Sequence, residues 1–149
     1  MAYHKKLKVA VYYRVSKKAK NVRMQRKVCK EYCLKQKMKF VEEYVDNGFS
    51  GRTKNRPALK RLLNDISSGK VDCVLVYKID RLGRNFSDLN GLIEDFEKRG
   101  VQLVSATQNF DNTVEGKFML RMLTILADFE SGMTSRRTID GIKASRKGR

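Results

Sequence analysis

The sequence has little of several residue types that build common active sites: one proline, one histidine, three cysteines and no tryptophan. The single histidine, His4, lies near the amino terminus, so a serine–histidine–aspartate hydrolase has no suitable base. Three cysteines, Cys29, Cys33 and Cys73, give no even disulfide framework and indicate a reducing compartment. With so few thiol and imidazole ligands, we expect no metal site.

Acidic residues are also scarce. The chain has 33 lysines and arginines against 16 acids, a net charge of +17. Residues 5–39 hold fourteen basic residues and one acid, and residues 136–149 hold six basic residues and one acid. Two basic blocks in a small protein predict a polyanionic partner, and double-stranded DNA fits best. A membrane surface fits poorly, because neither block alternates with a face rich in tryptophan or phenylalanine.

No apolar run approaches the roughly 20 residues that cross a bilayer. The amino terminus has no apolar segment of the kind that signal peptides carry. We therefore expect a cytoplasmic protein that makes no contact with the membrane. At 149 residues and 41% hydrophobic content, the chain is long and apolar enough to fold around a real core.

Strand and helix patterns alternate along the first two thirds of the chain. Short β-branched runs indicate strands, and apolar residues at i, i+3, i+4 and i+7 indicate helices. This alternation predicts an α/β fold, with a mainly parallel sheet of about four or five strands and helices on both faces. The expected strands are 9–16, 40–45, 71–77 and 101–104, and the expected helices are 22–37, 57–69 and 87–99.

The end of the chain has a different pattern. From Val114 to Lys147 there is no proline, which predicts one helix of some 30 residues, about 45 Å long. We therefore divide the chain into an α/β domain, residues 1–113, and a long terminal helix, residues 114–149, that serves oligomerisation and DNA contact. The alternative is a helix packed wholly on its own domain with a solvated basic end. The DNA-contacting residues would be Arg136, Arg137, Lys143, Arg146 and Lys147.

Candidate chemistry lies at the end of the first strand. Ser16 ends that strand, and Arg14 leaves it on the same face. Asp80, Arg81 and Arg84 follow a valine-rich strand, so they should lie at the same sheet edge. A hydroxyl surrounded by guanidinium groups suits chemistry on a phosphate. The alternative is a capping serine, with the arginines on a surface turn.

Four stretches together resemble the catalytic domain of the serine recombinases, most of all the large enzymes of phages and mobile elements. They are Tyr12–Ser16, Asp46 with Gly48–Gly51, Arg56–Pro57 and Tyr77–Arg84. Gln25 lies where that family has a glutamine, and Phe129–Glu130 resembles part of the family's long terminal helix. The order and spacing of these pieces make the resemblance specific.

The resemblance implies a site-specific DNA recombinase. In this reading Ser16 attacks a DNA phosphate to form a 5′-phosphoserine link, followed by strand exchange and religation, without metal or nucleotide. Arg14, Arg81 and Arg84 bind the phosphate and Arg56 joins them. The resemblance further implies orienting roles for Asp80 and Gln25, and weaker supporting roles for Asp46 and Glu130.

The resemblance also implies assembly: a homodimer in solution, and a tetramer in the active synaptic complex on two duplexes. The DNA-binding domains that follow the catalytic domain in large recombinases are expected to be absent from this chain. Two residues depart from the family pattern, Asp65 in place of a resolvase lysine and Ser131 in place of an arginine. An alternative function is a non-catalytic DNA-binding or regulatory protein on the same fold.

Overall fold

The computed structural model describes residues 6–15, 22–48, 55–83, 85–110 and 113–147, with only the backbone for 131, 133–140 and 142–147. Four strands and four helices alternate within these residues, with a short 3₁₀ turn at Ile79–Arg81. The strands are β1 Lys8–Val15, β2 Lys39–Asn47, β3 Cys73–Val76 and β4 Gln102–Ser105. The helices are α1 Val22–Lys35, α2 Pro57–Ser67, α3 Phe86–Lys98 and α4 Val114–Lys147.

The four strands form one parallel sheet in the order β2-β1-β3-β4. The predicted α/β class is therefore confirmed. Strands β1 and β3 occupy the centre, and their near-continuous apolar sequences suit strands covered on both faces. All four carboxyl ends point to one edge of the sheet, which is where open α/β folds hold their sites.

Alternation along β1 sends its side chains into two separate cores. Val9, Val11 and Tyr13 pack on one face with the buried side of α1. Ala10 and Tyr12 point to the other face, where α2, α3 and the first part of α4 cover the sheet. Helices on both faces were predicted, and the two-residue period of the strand explains how one strand serves both.

Two strands, β2 and β3, differ from the sequence prediction by two residues at one end. Strand β2 runs on to Asn47, because its pairing with β1 continues through Arg14 opposite Asp46 and Val15 opposite Asn47. Asp46 therefore belongs to a strand, whereas the expected strand ended at residue 45. Strand β3 is shorter than expected, since its pairing with β1 ends at Tyr12 opposite Val76 and the chain then turns into the 3₁₀ turn.

The helix ends follow local chemistry with one exception. Pro57 opens α2, where its fixed φ suits the first turn. Gly69 and Gly100 follow α2 and α3 with φ values of 77° and 70°, the left-handed conformation that glycine adopts without strain. After α1 the corresponding residue is Lys37, with a φ of 54°.

The terminal helix α4 has 34 residues, about 51 Å at 1.5 Å per residue. Gly116, Leu120 and Thr124 form its buried stripe, and Leu120 joins the core beneath α3. Leu123 and Ala127 are partly buried, whereas other apolar side chains of the helix are exposed, with Phe118 at 66% and Phe129 at 63%. None of the helices, over their described residues, is long and apolar enough to span a membrane.

The buried thiols predict that the fold is sensitive to alkaline pH. Burial, with smaller effects of neighbouring groups, raises the pKa of Cys29 and of Cys73 to about 12. In the unfolded chain these thiols titrate near 8.5, so between the two values each costs about 1.4 kcal/mol of stability per pH unit. The contribution of these thiols to the free energy of unfolding should therefore be constant below about pH 8.5 and fall steeply above it.

Urea unfolding at a series of pH values from 7 to 11 would measure this decline. A variant with Cys29 and Cys73 both changed to alanine should start less stable and lose stability more slowly above the same pH. An unchanged alkaline slope in that variant would contradict a role for the thiols.

Candidate active site

Of the residues predicted to form a site, four lie together at the carboxyl edge of the sheet: Arg14, Arg56, Asp80 and Arg81. Strand β1 ends at Val15, and the 3₁₀ turn that carries Asp80 and Arg81 lies beside that end. Two predicted members, the nucleophile Ser16 and the phosphate ligand Arg84, lie outside the described residues. The other predicted members lie within them.

Arg14 is 1% exposed and joins the first strand to the 3₁₀ turn. Its Nε donates to the carbonyl oxygen of Arg81 at 3.2 Å, and its Nη2 donates to the carbonyl oxygen of Asp80 at 2.9 Å. The pairing of β1 with β3 ends at Tyr12 opposite Val76. Beyond that point, the Arg14 guanidinium connects β1 to the chain that follows β3, through the carbonyl groups of the 3₁₀ turn. Arg14 therefore fixes the turn as well as bringing charge to this edge.

Arg56 reaches the same carbonyl group from the other side. It is 4% exposed at the N-cap position of α2, and its Nη1 lies 3.5 Å from the carbonyl oxygen of Arg81. The same nitrogen donates to the hydroxyl of Tyr12 at 3.3 Å, while the guanidinium carbon lies 5.8 Å from the centre of the Tyr12 ring. The carbonyl of Arg81 is thus an acceptor shared by Arg14 and Arg56.

Asp46 holds the start of α2 against the sheet. Its Oδ1 accepts from the backbone N–H of Ala58 at 2.9 Å, and its Oδ2 accepts from Leu59 at 3.1 Å and from the Tyr12 hydroxyl at 2.8 Å. A carboxylate at a helix amino terminus satisfies free N–H groups and complements the helix dipole. The N-cap residue itself, Arg56, makes no side-chain cap, so Asp46 supplies it from the neighbouring strand.

Tyr12 is a member of this cluster that sequence reasoning left out of the site. Its hydroxyl donates to Asp46 and accepts from Arg56, so it connects the carboxylate to the guanidinium. Burial raises the pKa of Tyr12, the Arg56 charge opposes this shift, and the hydrogen bond to Asp46 adds to it. The phenol therefore stays protonated and remains a donor. Its position two residues before Arg14, on the same strand face, was the signal available in the sequence.

Asp80 and Arg81 form a loose ion pair, with 3.7 Å between Oδ1 of Asp80 and Nε of Arg81. Neither atom has a hydrogen bond within the described part of the chain, although both are buried, and the same holds for Nε of Arg56. Unsatisfied buried groups cost free energy unless a ligand or water binds them. The two donors among them, Nε of Arg56 and Nε of Arg81, are candidates to bind an anion.

The charges of the cluster do not cancel. Among the described residues it holds three guanidiniums, Arg14, Arg56 and Arg81, and two carboxylates, Asp46 and Asp80, an excess of one positive charge (3 − 2 = 1). Excess positive charge within a partly desolvated site favours an anionic ligand. A phosphate diester has the matching charge and oxygens that accept from guanidinium donors.

The other predicted site residues have different surroundings. Gln25 is 1% exposed on α1 and its Nε2 lies 3.4 Å from the carbonyl oxygen of Arg14, so it holds the end of β1. Glu130 is exposed on α4, beyond Thr124, the last buried position among the described side chains of that helix. Asp65, which departs from the family pattern, accepts from the Tyr44 hydroxyl at 2.6 Å and ties α2 to β2. The five basic residues predicted to contact DNA belong to α4, for which the structure describes only the backbone at these positions.

The family model described as the resolvase N-terminal domain matches residues 9–149. The chain belongs to the resolvase family. The similarity expected from the four sequence stretches is therefore confirmed over nearly the whole chain.

Individual relatives agree with this assignment. The resolvase-family chain is 34% identical over 106 residues to DNA-invertase hin of Salmonella typhimurium, covering 70% of this chain and 55% of the invertase. It is 33% identical over 142 residues to serine recombinase gin of Escherichia phage Mu, covering 93% and 68%. The solved N-terminal catalytic domain of TP901-1 integrase superposes with a TM-score of 0.71 and 35% identity, covering 85% and 98%. The chain thus spans about half the length of the hin invertase.

Removing the Asp46 carboxylate should destabilise the fold. Asp46→Ala leaves two helix N–H groups and the Tyr12 hydroxyl without their acceptor, so we expect a loss of about 2–4 kcal/mol in the free energy of unfolding. Asp46→Asn keeps one oxygen acceptor and should lose about half as much. Urea denaturation measures both.

The matched control is Asp95→Ala, since that carboxylate is 42% exposed and pairs with Arg99 along one helix. It should cost no more than about 0.5 kcal/mol. Equal losses at Asp46 and Asp95 would mean that the capping of α2 contributes nothing beyond a surface ion pair.

Proposed function

We propose that this chain is the catalytic domain of a site-specific DNA recombinase that cleaves and rejoins DNA through Ser16. The observation that carries the proposal is the guanidinium cluster at the edge where β1 ends, with Arg14 and Arg56 buried and Arg81 partly exposed. In the sequence Ser16 comes directly after Val15, the last residue of β1. Membership of the resolvase family supports the reaction class.

The proposed reaction is a transesterification at phosphorus. The Ser16 hydroxyl oxygen attacks a backbone phosphate, a serine–phosphorus bond forms, and the bond to the 3′-oxygen breaks. The serine proton is lost and the departing 3′-oxygen gains one. The product is a 5′-phosphoserine link and a free 3′-hydroxyl, which can reverse the step on a new partner strand.

This chemistry conserves the number of phosphoester bonds. Each cleavage replaces a DNA phosphodiester by a serine phosphodiester, so religation needs no nucleotide to supply free energy. Activation must come from charge and positioning, which are the main contributions that proteins make to phosphoryl transfer. The resolvase-family resemblance implies that no metal is required.

The arginines divide the work in this proposal. Arg81 and Arg84 bind the oxygens of the scissile phosphate and stabilise the charge that grows in the transition state. Arg14 and Arg56 add charge while holding the backbone of the 3₁₀ turn. Asp80 orients Arg81, Gln25 holds the end of β1, Asp46 supports Arg56 through the start of α2, and Glu130 is a supporting residue on α4.

Ser16→Ala should abolish covalent attachment to DNA. Because a single hydroxyl adds little to electrostatic affinity, DNA binding should be nearly unchanged. Arg81→Ala and Arg84→Ala should each reduce attachment by about a hundredfold or more, if they act like other transition-state donors. The measurement traps the adduct on a duplex with a nicked strand and maps the attached residue by mass spectrometry.

Two outcomes would overturn this mechanism. One is attachment of DNA at a residue other than Ser16, and the other is loss of attachment in a chelator. Binding without any adduct in the wild-type protein would favour the alternative, a non-catalytic DNA-binding protein on this fold.

The terminal helix has a second proposed role, in assembly. Four apolar side chains follow each other on α4 at helical spacing, all about half exposed or more: Phe118, Met122, Ile125 and Phe129. Met119 and Leu126 flank them with similar exposure. A continuous apolar stripe of this kind is costly in water and typical of an interface between subunits. We propose that it pairs two copies in a homodimer, and four copies in a tetramer on two duplexes.

Beyond this stripe α4 continues towards its basic end. We propose that Arg136, Arg137, Lys143, Arg146 and Lys147 contact the DNA backbone there, so that residues 114–149 act as a unit separate in function from residues 1–113. The proposed place of action is DNA in the cytoplasm of a bacterial host.

Charged substitutions in the stripe should prevent dimerisation. Met122→Glu with Leu126→Glu would bury two carboxylates in the interface, so we expect monomers in sedimentation velocity at concentrations where the wild type is dimeric. Circular dichroism should stay native, since both side chains are half exposed in the single chain. The control is Gln36→Glu with Asn64→Glu, an equal charge change at exposed positions away from α4. A wild type that stays monomeric at high concentration would contradict the proposed dimer.

A further inference from the structure

Helix α1 presents a strongly basic outer face that the proposed reaction does not use. Its buried stripe is formed by Gln25, Cys29 and Cys33, and its solvent side carries lysines and arginines. The helix has five basic residues and one acid, Glu31. Two further lysines extend this face past the end of the helix. The exposed members, which we call the α1 basic face, are Arg23, Lys27, Lys30, Lys35, Lys37 and Lys39.

This basic character is local and not a general property of a protein with charge +17. Helix α3, on the opposite side of the sheet, carries four acids and one base in thirteen residues. By simple count, α1 is +4 (5 − 1) and α3 is −3 (1 − 4). A polyanion near the sheet would therefore be attracted to the α1 side and repelled from α3.

Fold stability accounts for only some of the charges of α1. Arg26, which is not part of the α1 basic face, pairs with Glu43 at 3.0 Å, and Glu31 is four residues from both Lys27 and Lys35. The first turn of the helix contains Arg23 and no acid, although the positive end of the helix dipole favours acids there. Arg23 and Lys27 are four residues apart, a spacing at which like charges repel across one turn. Only Lys35, in the last turn, complements the dipole.

Lys37 is a second, independent indication that the basic residues of this face are not explained by fold stability. It has a φ of 54°, in the left-handed region, directly after α1. The corresponding residues after α2 and α3 are Gly69 and Gly100, which adopt such values without strain. The chain thus has a lysine at the end of the basic face, where α2 and α3 have glycine.

We propose that the α1 basic face binds the DNA backbone without sequence preference, as a surface separate from the terminal helix. The helix is 14 residues long, about 21 Å, which matches about six phosphates along one strand. It begins near the sheet edge that holds the arginine cluster and runs to the opposite edge, on the sheet face away from α4. Because the sheet separates the two helices, the DNA on α1 is a segment other than the one that follows α4. This proposal goes beyond the phosphoserine reaction and requires only that the protein meets DNA.

The first test compares two triple variants of equal charge in a Ser16→Ala background. Lys27, Lys30 and Lys35 changed to glutamine should weaken binding to a random-sequence duplex about tenfold or more near 0.1 M salt. The slope of log affinity against log salt should fall by roughly 0.9 for each phosphate that the variant no longer neutralises. The control changes Lys60, Lys70 and Lys98, exposed lysines outside α1, to glutamine and should retain most of the affinity.

The comparison of the two triple variants shows whether DNA binds to the α1 basic face or responds only to the net charge of the protein. Equal losses of affinity in the two variants would overturn the proposal, because only net charge would then matter. Unchanged DNA binding in the α1 variant would overturn it as well, and weaker binding of that variant to an acidic protein or an anionic vesicle would then identify a different partner. Because the background lacks the Ser16 hydroxyl, the result is independent of whether Ser16 is the nucleophile.

The second test uses the strain at Lys37. Lys37→Gly should raise the midpoint of urea denaturation while lowering DNA affinity, since glycine relieves the left-handed backbone and removes the charge. Lys37→Gln keeps the strain and should lower affinity alone. A structural role for this lysine would make stability fall in both variants. DNA affinity that stays at the wild-type value in Lys37→Gly would rule the residue out of the surface.

Discussion

The Asp46 carboxylate is the interaction on which the arrangement of the arginine cluster depends. It lies at the end of an edge strand, yet it caps the start of α2 and accepts from the Tyr12 hydroxyl of the central strand. The next link is Arg56, which donates to that hydroxyl and also to the carbonyl oxygen of Arg81. One buried acid thus fixes the positions of a strand, a helix and the turn beside them. Tyr12 and Arg56, the two residues between Asp46 and the turn, each have a hydrogen-bond partner in both directions.

The cost of gathering cations at this edge is reduced by the same network. Burying guanidiniums is expensive unless their donors are satisfied. Backbone carbonyls of Asp80 and Arg81 satisfy Arg14, and the Tyr12 oxygen and ring accommodate Arg56. What stays unsatisfied among the described residues are single atoms, including Nε of Arg56 and Nε of Arg81. The protein thereby keeps a few unsatisfied donors and an excess positive charge that an anion can bind, while the rest of the cluster is hydrogen-bonded.

The class of fold, the parallel sheet and the position of the site at its carboxyl edge could be predicted because they follow from hydrophobic period and from where each run ends. The long terminal helix could be predicted because no residue from Val114 to Lys147 breaks it. The role of Asp46 could not, because capping across two elements is set by the register of β2 on β1, which leaves no local trace. The double use of Arg14, for charge and for holding a turn, depends on where β3 stops pairing. Tyr12 was not predicted as a site residue, although it is two residues from Arg14 and so shares its strand face. A tyrosine within an apolar strand is normally interpreted as a core residue.

The shared carbonyl of Arg81 has a mechanical consequence. Two arginines from different elements converge on a single oxygen in the 3₁₀ turn, and Ile79 in that turn lies in the same core as Leu120 of α4. The turn therefore works like a common hub: a displacement of a fraction of an ångström there alters three guanidiniums together, because Arg81 moves with its own backbone. The three guanidiniums of the cluster therefore form or lose their arrangement together. The 3₁₀ turn that holds them contacts α4, the helix that carries the exposed apolar stripe.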